Sequence, residues 1–309
     1  MRVRRHPEPS PAPAAIAVGS FDGVHVGHQA LLAGLRKTAK ARGLESAVLT
    51  FEPLPREHFD PERAPARLSS LQEKLALLAD TGLDLAHVQR FDKRFAAIAA
   101  RDFEHHLHDA YGARHVLVGR DFRYGARRMG DFASLARAGR QHGFTVEAIE
   151  DVSDGGERVS STRVRDALAA GRFAEAARLL GRPYAIYGRV VHGEKRGRTL
   201  GYPTANVRLA RPRAALHGIY AVKCVGAATR GLEGVASLGT NPAVRQDGRA
   251  TLEAFLFDFS GDLYGARLCI EFVKKLRDEA PFASLDALAS QIQRDCDAAR
   301  QLFAAGPTP

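Results

Sequence analysis

Cysteine is scarce in this chain. Cys224, Cys269 and Cys296 are widely spaced, and no C-x-x-C pair occurs. That excludes a disulfide framework and offers no thiolate metal site. Long apolar runs are also missing; none approaches the ~20 residues that a membrane helix needs. Mean hydropathy is −0.23. The opening stretch, MRVRRHPEPSPAPAA, is basic and proline-rich but lacks the apolar core of a signal peptide. Residues 1–13 are therefore expected to be a disordered lead-in, and the cytoplasm is the expected compartment. There is no internal repeat, and no RNA-recognition, zinc-finger or helix-turn-helix pattern.

What is present is ample for two domains: 309 residues, 45% of them hydrophobic. The net charge of +10 is scattered through the chain rather than gathered in a stripe. Such a balance suits nucleic acid and anionic nucleotides alike; without a stripe, phosphate-bearing small ligands are favoured.

Residues 14–150 alternate apolar strands with helical stretches. Strands are predicted at Ala15–Val18, Ala47–Phe51, Leu85–Phe91, His115–Val118 and Thr145–Ile149. Helices are predicted near 28–42, 69–81, 101–112 and 131–142, with Ser69 and Gln72 as a capping box for the second. This order argues for a parallel sheet covered on both faces. Two more helices are expected near 161–170 and 173–180. Past Gly181-Arg182-Pro183 the pattern changes to short strands: Tyr184–Val191, Gly218–Val225, Val235–Leu238, Thr251–Phe257 and Arg267–Val273. A helix follows at about 284–303. The second half thus reads as an antiparallel barrel closed by a C-terminal helix, with the domain boundary near 183.

Residues 16–32, IAVGSFDGVHVGHQALL, are the most informative stretch. A buried strand leads into a Gly19–Gly23 turn, then into a helix whose Ala30, Leu31, Leu35 and Ala39 share a face. His25 and His28 fall at that helix start, where free N–H groups and the dipole favour phosphate. An isolated H-x-x-H is commonly a solvated face or a packing pair. Zinc would need further ligands, and this half has no cysteine. The preceding Gly-Ser-Phe-Asp-Gly turn weighs for a phosphate site. Two more segments offer matching chemistry. VLVGRDFRYGARRMGD at 116–131 presents Asp121 and several arginines; RVSSTRVRDAL at 158–168 presents Arg158, Ser161, Thr162 and Arg165 at another helix start. Alone, the latter would be an ordinary Ser/Thr cap.

Together G-x-F-D-G-V-H-x-G-H at 19–28, V-G-x-D-F-x-Y-G at 118–125 and V-S-S-T-x-V-R at 159–165 resemble the nucleotidylyltransferase superfamily. More closely, they resemble the FMN adenylyltransferase half of bacterial bifunctional riboflavin kinase/FAD synthetases. The resemblance implies an α/β chain: a Rossmann-like adenylyltransferase domain at 14–183 and a riboflavin-kinase-type barrel domain at 184–309. It implies that the phosphate of FMN attacks the α-phosphorus of ATP and pyrophosphate leaves. Gly19, Phe21, Asp22, Gly23, His25, His28, Arg158, Ser161, Thr162 and Arg165 would hold ATP and its phosphates, with the histidines catalytic. Asp121 would place flavin or Mg²⁺. Ser20 stands where many relatives carry Asn. Class I aminoacyl-tRNA synthetases share the H-x-G-H element, but they pair it with a lysine-containing loop and tRNA-binding appendages not found here.

GRVVHGEKRGRTLGYPTANV at 188–207 carries a second signature. Gly193, Gly197 and Gly201 make a loop able to approach phosphates. Pro203-Thr204-Ala205-Asn206 sets a hydroxyl and an amide two residues apart, on one face if extended. Oxygen ligands of this kind suit Mg²⁺ already held by nucleotide phosphates. Either piece alone could be a glycine-rich hairpin with a polar edge. The full string closely resembles the riboflavin kinase signature, which implies ATP at Gly193, Gly197, Gly201, Pro203, Thr204 and Asn206, with Mg²⁺ at Thr204 and Asn206. Glu253, an acid in an otherwise apolar strand, would be the general base for the 5′-hydroxyl of riboflavin. Gly239, Asn241 and Arg277 would line the flavin pocket. Phe255 replaces a His common in relatives. The implied small molecules are riboflavin, FMN, FAD, ATP, ADP and pyrophosphate. No nucleic-acid or membrane partner is expected, and the chain is expected to be monomeric or weakly self-associating. The competing readings are one working half only, or a nucleic-acid-binding protein on this scaffold.

Overall fold

The computed structural model describes residues 1–6, 11–193, 201–211, 213–226, 231–239 and 250–306. It divides into two compact units, Met1–Pro65 with Leu71–Ser161, and Ala66–Ser70 with Thr162–Pro309.

The first unit is built on one sheet. Its strands are β1 (Arg2–Arg4), β2 (Ala14–Val18), β3 (Glu45–Glu52), β4 (Leu85–Arg90), β5 (Ala113–Gly119) and β6 (Thr145–Ile149). They lie in the order β1-β4-β3-β2-β5-β6, and every pairing is parallel. Its helices are α1 (Val26–Arg42), α2 (Pro55–Phe59), α3 (Leu71–Asp80), α4 (Lys93–Ala96), α5 (Ala100–Asp109) and α6 (Phe132–His142). All of β2 is buried because both of its faces are covered. Leu32 and Leu35 of α1 and Leu78 of α3 pack on Ala15, Ala17 and Val48. Phe103 and Leu107 of α5, with Leu135 and Ala138 of α6, pack on Ile16, Leu49 and Val116 on the other face. The chain steps from β2 through β3 to β4, then returns to set β5 on the far side of β2. The sheet order reverses there, so the carboxyl ends of β2 and β5 open the crevice where such sheets bind ligands.

Three details differ from the sequence expectation. Arg2–Arg4, expected in a disordered lead-in, form an edge strand on Leu85–His87. Composition cannot weigh so short a pairing; an Arg-Val-Arg strand suits an edge, and Arg2 is tied to Glu45. Pro7–Ser10 lie outside the described residues. The buried face of α1 runs through Leu31, Leu32, Leu35 and Ala39, while Ala30 is exposed on the opposite side. Helix α3 starts at Leu71, so Ser70 rather than Ser69 precedes its first turn.

In the second unit, six strands close into an antiparallel barrel. They are β9 (Ala185–Val191), β10 (Ala205–Arg208), β11 (Gly218–Val225), β12 (Leu232–Gly239), β13 (Thr251–Leu256) and β14 (Arg267–Arg277). The order is β10-β13-β12-β11-β14-β9, and β9 pairs back on β10. Helices α7 (Ser161–Ala169) and α8 (Phe173–Leu180) go with this unit apart from Ser161, whereas the sequence pattern places the division near 183. Packing is the reason: Phe173 meets the ring of Tyr220 edge-on at 5.8 Å. Ala66–Ser70 joins the same unit through an Arg67–Ala214 bridge.

The C-terminal helix α9 (Leu285–Ala304) lies against the outside of the barrel. Its Cys296 and Ala299 meet Ile219, Ala221, Val235 and Phe257. Side chains alternate along a strand, so Tyr220, Val222 and Cys224 turn inward. Arg277 donates from Nε and Nη2 to the carboxylate of Asp295 at 2.8–3.1 Å, pinning α9 to β14. Strand β10 is the one barrel strand that the sequence pattern missed. Its Pro-led, four-residue run reads as a turn, and the partners that make it a strand lie far along the chain.

Candidate active sites

The first site begins where β2 ends. Phe21, Gly23 and Val24 adopt positive φ of 49°, 79° and 41°. A left-handed conformation is costly for Phe and more so for β-branched Val. It persists because both side chains are driven into the core, each at 1% exposure. The turn delivers His25 as the N-cap of α1, and His25 Nδ1 accepts from the backbone N–H of His28 at 3.3 Å. Nδ1 is thus the acceptor, so the proton of a neutral His25 resides on Nε2 as a donor. The two imidazoles stack at 3.6 Å, and Phe21 meets His28 edge-on at 5.2 Å.

His28 keeps some exposure as a residue, but its Nδ1 is buried with no hydrogen-bond partner among the described residues. Its proton affinity is held well below the ordinary histidine range, first by burial, then by the charges of His25 and Lys74. A neutral, ordered imidazole at a helix N-terminus can donate to a phosphate oxygen without carrying its own charge.

Other expected residues converge on this turn. Ser161 Oγ donates to the carbonyl of Asp22 at 2.9 Å, tying the first residue of α7 to the turn. Arg158 sits in a small hairpin of β7 (Ser153–Asp154) and β8 (Glu157–Arg158), which sequence reading missed. Its guanidinium lies 3.4 Å from Asp121 and 3.0 Å from Asp151. Asp121 follows β5, so the carboxyl ends of both switch-point strands contribute. Thr162 and Arg165 belong to the second unit, where Arg165 Nε donates to the carbonyl of Ala66 at 2.6 Å.

Two features of this unit were not read from the sequence. Lys74 is buried beneath the turn, its Nζ 3.1 Å from the Ser20 carbonyl and 3.1 Å from Thr50 Oγ1. The signal was available: Lys74 interrupts the apolar stripe of α3 one turn before Leu78. An aromatic cluster also stands past β3 and β4. Phe91 packs edge-on with Phe51, His58, Phe59 and Phe95 at 5.5–5.7 Å, and Phe59 remains 68% exposed. These rings are scattered in sequence, and only the sheet order assembles them.

The second site is set by strand register. Glu253 stands directly opposite Asn206 on β10 and Ser237 on β12. It shares a strand face with Phe255, which packs into the α9 cluster, so Glu253 lies on the outer wall beside α9. Thr204 immediately precedes β10. Gly193 approaches Asn206 so closely that a Cβ there would lie 2.3 Å from the side-chain nitrogen. Tyr202 donates to Gln293 of α9 at 2.7 Å and packs on Phe255, anchoring the Gly201–Thr204 segment. Gly239 ends β12 against Glu279, which accepts from Ser237 Oγ at 3.2 Å. The guanidinium of Arg277 is the one engaged by Asp295. Gly197 and Asn241 lie outside the described residues.

Each half also matches a known family. The FAD synthetase family model matches residues 8–163, and the riboflavin kinase family model matches residues 180–303. A bifunctional riboflavin kinase/FMN adenylyltransferase of Pseudomonas fluorescens is 50% identical over 93% of this chain and 92% of its own length. The Escherichia coli K12 protein of the same name is 47% identical over 93% and 92%.

The chain belongs to the bifunctional riboflavin kinase/FMN adenylyltransferase family.

Like its relatives it is a transferase with both activities, using riboflavin, FMN and ATP and forming FMN and FAD. A Streptococcus pneumoniae structure described as a macrolide-efflux protein aligns at a TM-score of 0.79 and 30% identity, over 97% of this chain and 98% of that one. That description stays with that protein. Among the described residues here, no helix is long and apolar enough to cross a membrane.

The family's use of ATP raises the question of Mg²⁺. Among the described residues no cluster of three or more His, Cys, Asp or Glu could hold a metal by itself. Thr204 and Asn206 supply hard neutral oxygens, with Glu253 across from Asn206. That donor set fits Mg²⁺ brought in with nucleotide phosphates, which keeps few protein ligands.

Proposed function

We propose that the two reactions run at separate sites, adenylyl transfer within 14–183 and riboflavin phosphorylation within 184–309. In the first, the phosphate of FMN attacks the α-phosphorus of ATP, and pyrophosphate leaves. His25 and His28 donate to the phosphates as charge develops. Gly19, Phe21, Asp22 and Gly23 shape the turn around them. Arg158, Ser161, Thr162 and Arg165 hold the pyrophosphate side, and Asp121 orients the flavin substrate. The exposed ring of Phe59 offers a stacking face for the isoalloxazine. Catalysis is mostly positioning and charge stabilisation. The observation that carries this reading is the stacked His25–His28 pair at the start of α1, with the buried Nδ1 of His28 free of any partner among the described residues.

In the second, Glu253 accepts the proton of the riboflavin 5′-hydroxyl as its oxygen takes the terminal phosphoryl group of ATP, leaving ADP. Gly193, Gly197, Gly201 and Pro203 bring the loop backbone to the nucleotide; Gly239, Asn241 and Arg277 border the flavin. Thr204 and Asn206 would hold Mg²⁺, which neutralises charge on the transferring phosphate. The alignment of Asn206, Glu253 and Ser237 across three strands supports this assignment. The protein is further proposed to act in the cytoplasm, monomeric or weakly self-associating, without nucleic-acid or membrane partners. None of its three buried cysteines is joined in a disulfide, which suits a reducing compartment.

The test is to supply riboflavin, ATP and Mg²⁺ and to separate the flavins over time. FMN should form first and FAD after it, and chelation of Mg²⁺ should stop both. FMN without FAD would leave the first site inactive. No turnover, with salt-sensitive RNA binding instead, would favour the nucleic-acid reading.

A further inference from the structure

A lysine is almost never fully buried unless its ammonium group is paired. Lys74 is 2% exposed, and it is placed under the one backbone segment that carries both site histidines. Its Nζ donates to the Ser20 carbonyl at 3.1 Å, to Thr50 Oγ1 at 3.1 Å and to the Phe51 carbonyl at 3.5 Å. Thr50 Oγ1 in turn donates to the same Ser20 carbonyl at 3.3 Å. The ammonium thus knots the carboxyl ends of β2 and β3 to α3. The knot closes at the residue just before the left-handed Phe21–Val24 turn.

We propose that Lys74 is a positioning residue of adenylyl transfer: it fixes the Ser20 carbonyl, and hence the turn that aims His25 and His28, and it sets a fixed positive charge beneath the phosphates. The inference rests on reading those histidines as the phosphate contacts. A structural lysine would serve equally well anywhere in the core. This one stands at the ligand-binding edge of the sheet, within the electrostatic reach of His28. The charged or titratable groups acting on His28 are His25, the N-cap of α1, and Lys74, from α3. Both disfavour its protonation. Lys74 therefore helps keep His28 neutral, as a hydrogen-bond donor rather than an imidazolium that would hold the triphosphate too tightly in the ground state.

The test uses the full chain with FMN, ATP and Mg²⁺. Lys74→Met keeps the stem and removes the charge. FAD formation should fall roughly tenfold or more in kcat through lost positioning. The acid limb of its pH profile should move to higher pH, because His28 then gains a proton more readily. FMN formation by the same preparation, assayed separately with riboflavin, ATP and Mg²⁺, should stay within about twofold, reporting an intact fold. A folded Lys74→Met protein with wild-type kcat and an unmoved acid limb overturns the proposal. Loss of kcat with the limb unmoved also overturns it, since a purely structural role predicts that result. Should Lys74→Met fail to fold, Lys74→Arg decides. The retained charge should leave the acid limb in place, and a displaced limb contradicts the idea. His28→Ala run in parallel separates the two layers. If it still makes FAD, the reading of the site fails; if it does not while Lys74→Met does, only the role of Lys74 fails.

Discussion

The two halves of this chain build their sites in opposite ways. In the sheet unit, the centre of the candidate site is continuous in sequence: one turn and one helix start carry Gly19 to His28, and later segments add Ser161 and Arg158 around it. In the barrel unit, Asn206, Glu253 and Ser237 come from three strands and meet only through register. The first arrangement follows from what a helix N-terminus offers, free N–H groups and a favourable dipole supplied by one local stretch of chain. The second follows from the barrel itself, where neighbours across a strand are far apart along the chain. A contiguous site is sensitive to local backbone strain. A register-built site is sensitive to strand pairing and to what packs on the wall.

Single substitutions separate the two sites most decisively. His28→Ala should reduce FAD formation by ~10²-fold or more, the scale of losing a transition-state donor, with FMN formation intact. Equal loss of both products would deny that the sites are separate. Glu253→Ala should cut FMN formation by about 10²-fold, the usual contribution of a general base, while supplied FMN is still adenylylated. Full kinase activity in that variant would remove Glu253 from the chemistry. A smaller effect sharpens the picture of the barrel. Gly193→Ala places a Cβ 2.3 Å from the Asn206 nitrogen, so Asn206 must move. Kinase turnover should drop roughly tenfold with little change in melting temperature. An unchanged rate would mean that Asn206 need not hold its place.

The smallest effect concerns acid stability. His87 in β4 is 2% exposed, and burial, followed by the charges of Arg4 and Arg2, pushes its pKa from 6.5 down to about 4. His28 is lowered in the same direction. For both, the unfolded chain binds the proton more readily than the folded one. Stability is therefore complete above about pH 6.5 and declines as pH falls towards 4. Denaturant titrations across that range should show this slope, and His87→Gln should flatten it. An identical slope in the variant would place the acid sensitivity elsewhere.

The same contrast explains what the sequence could tell. The strands of the sheet unit were legible because buried parallel strands are continuous apolar runs, and α1 because its turn and its leucines are local signals. The turn that carries His25 and His28 to the start of α1 was legible for the same reason. Strand β10 was not, because four residues after a proline become a strand only by pairing with Val190 and Glu253. Nor were Ser237 and Glu279, whose place beside Gly239 depends on the closure of the barrel. Lys74 is an intermediate case: a cation in an apolar helical stripe is visible as an anomaly, but its partners on β2 and β3 are not. The edge strand Arg2–Arg4 was hidden by proline-rich composition just after it.

Flavin separation with the two site variants, alone and mixed, bears most directly on the claim of two independent sites. Given riboflavin, ATP and Mg²⁺, His28→Ala alone should accumulate FMN, and Glu253→Ala alone should leave most of the riboflavin unconverted over the same time. The mixture should restore FAD, because FMN released by one protein is adenylylated by the other. A mixture that still fails to make FAD, from two folded proteins, would contradict the account.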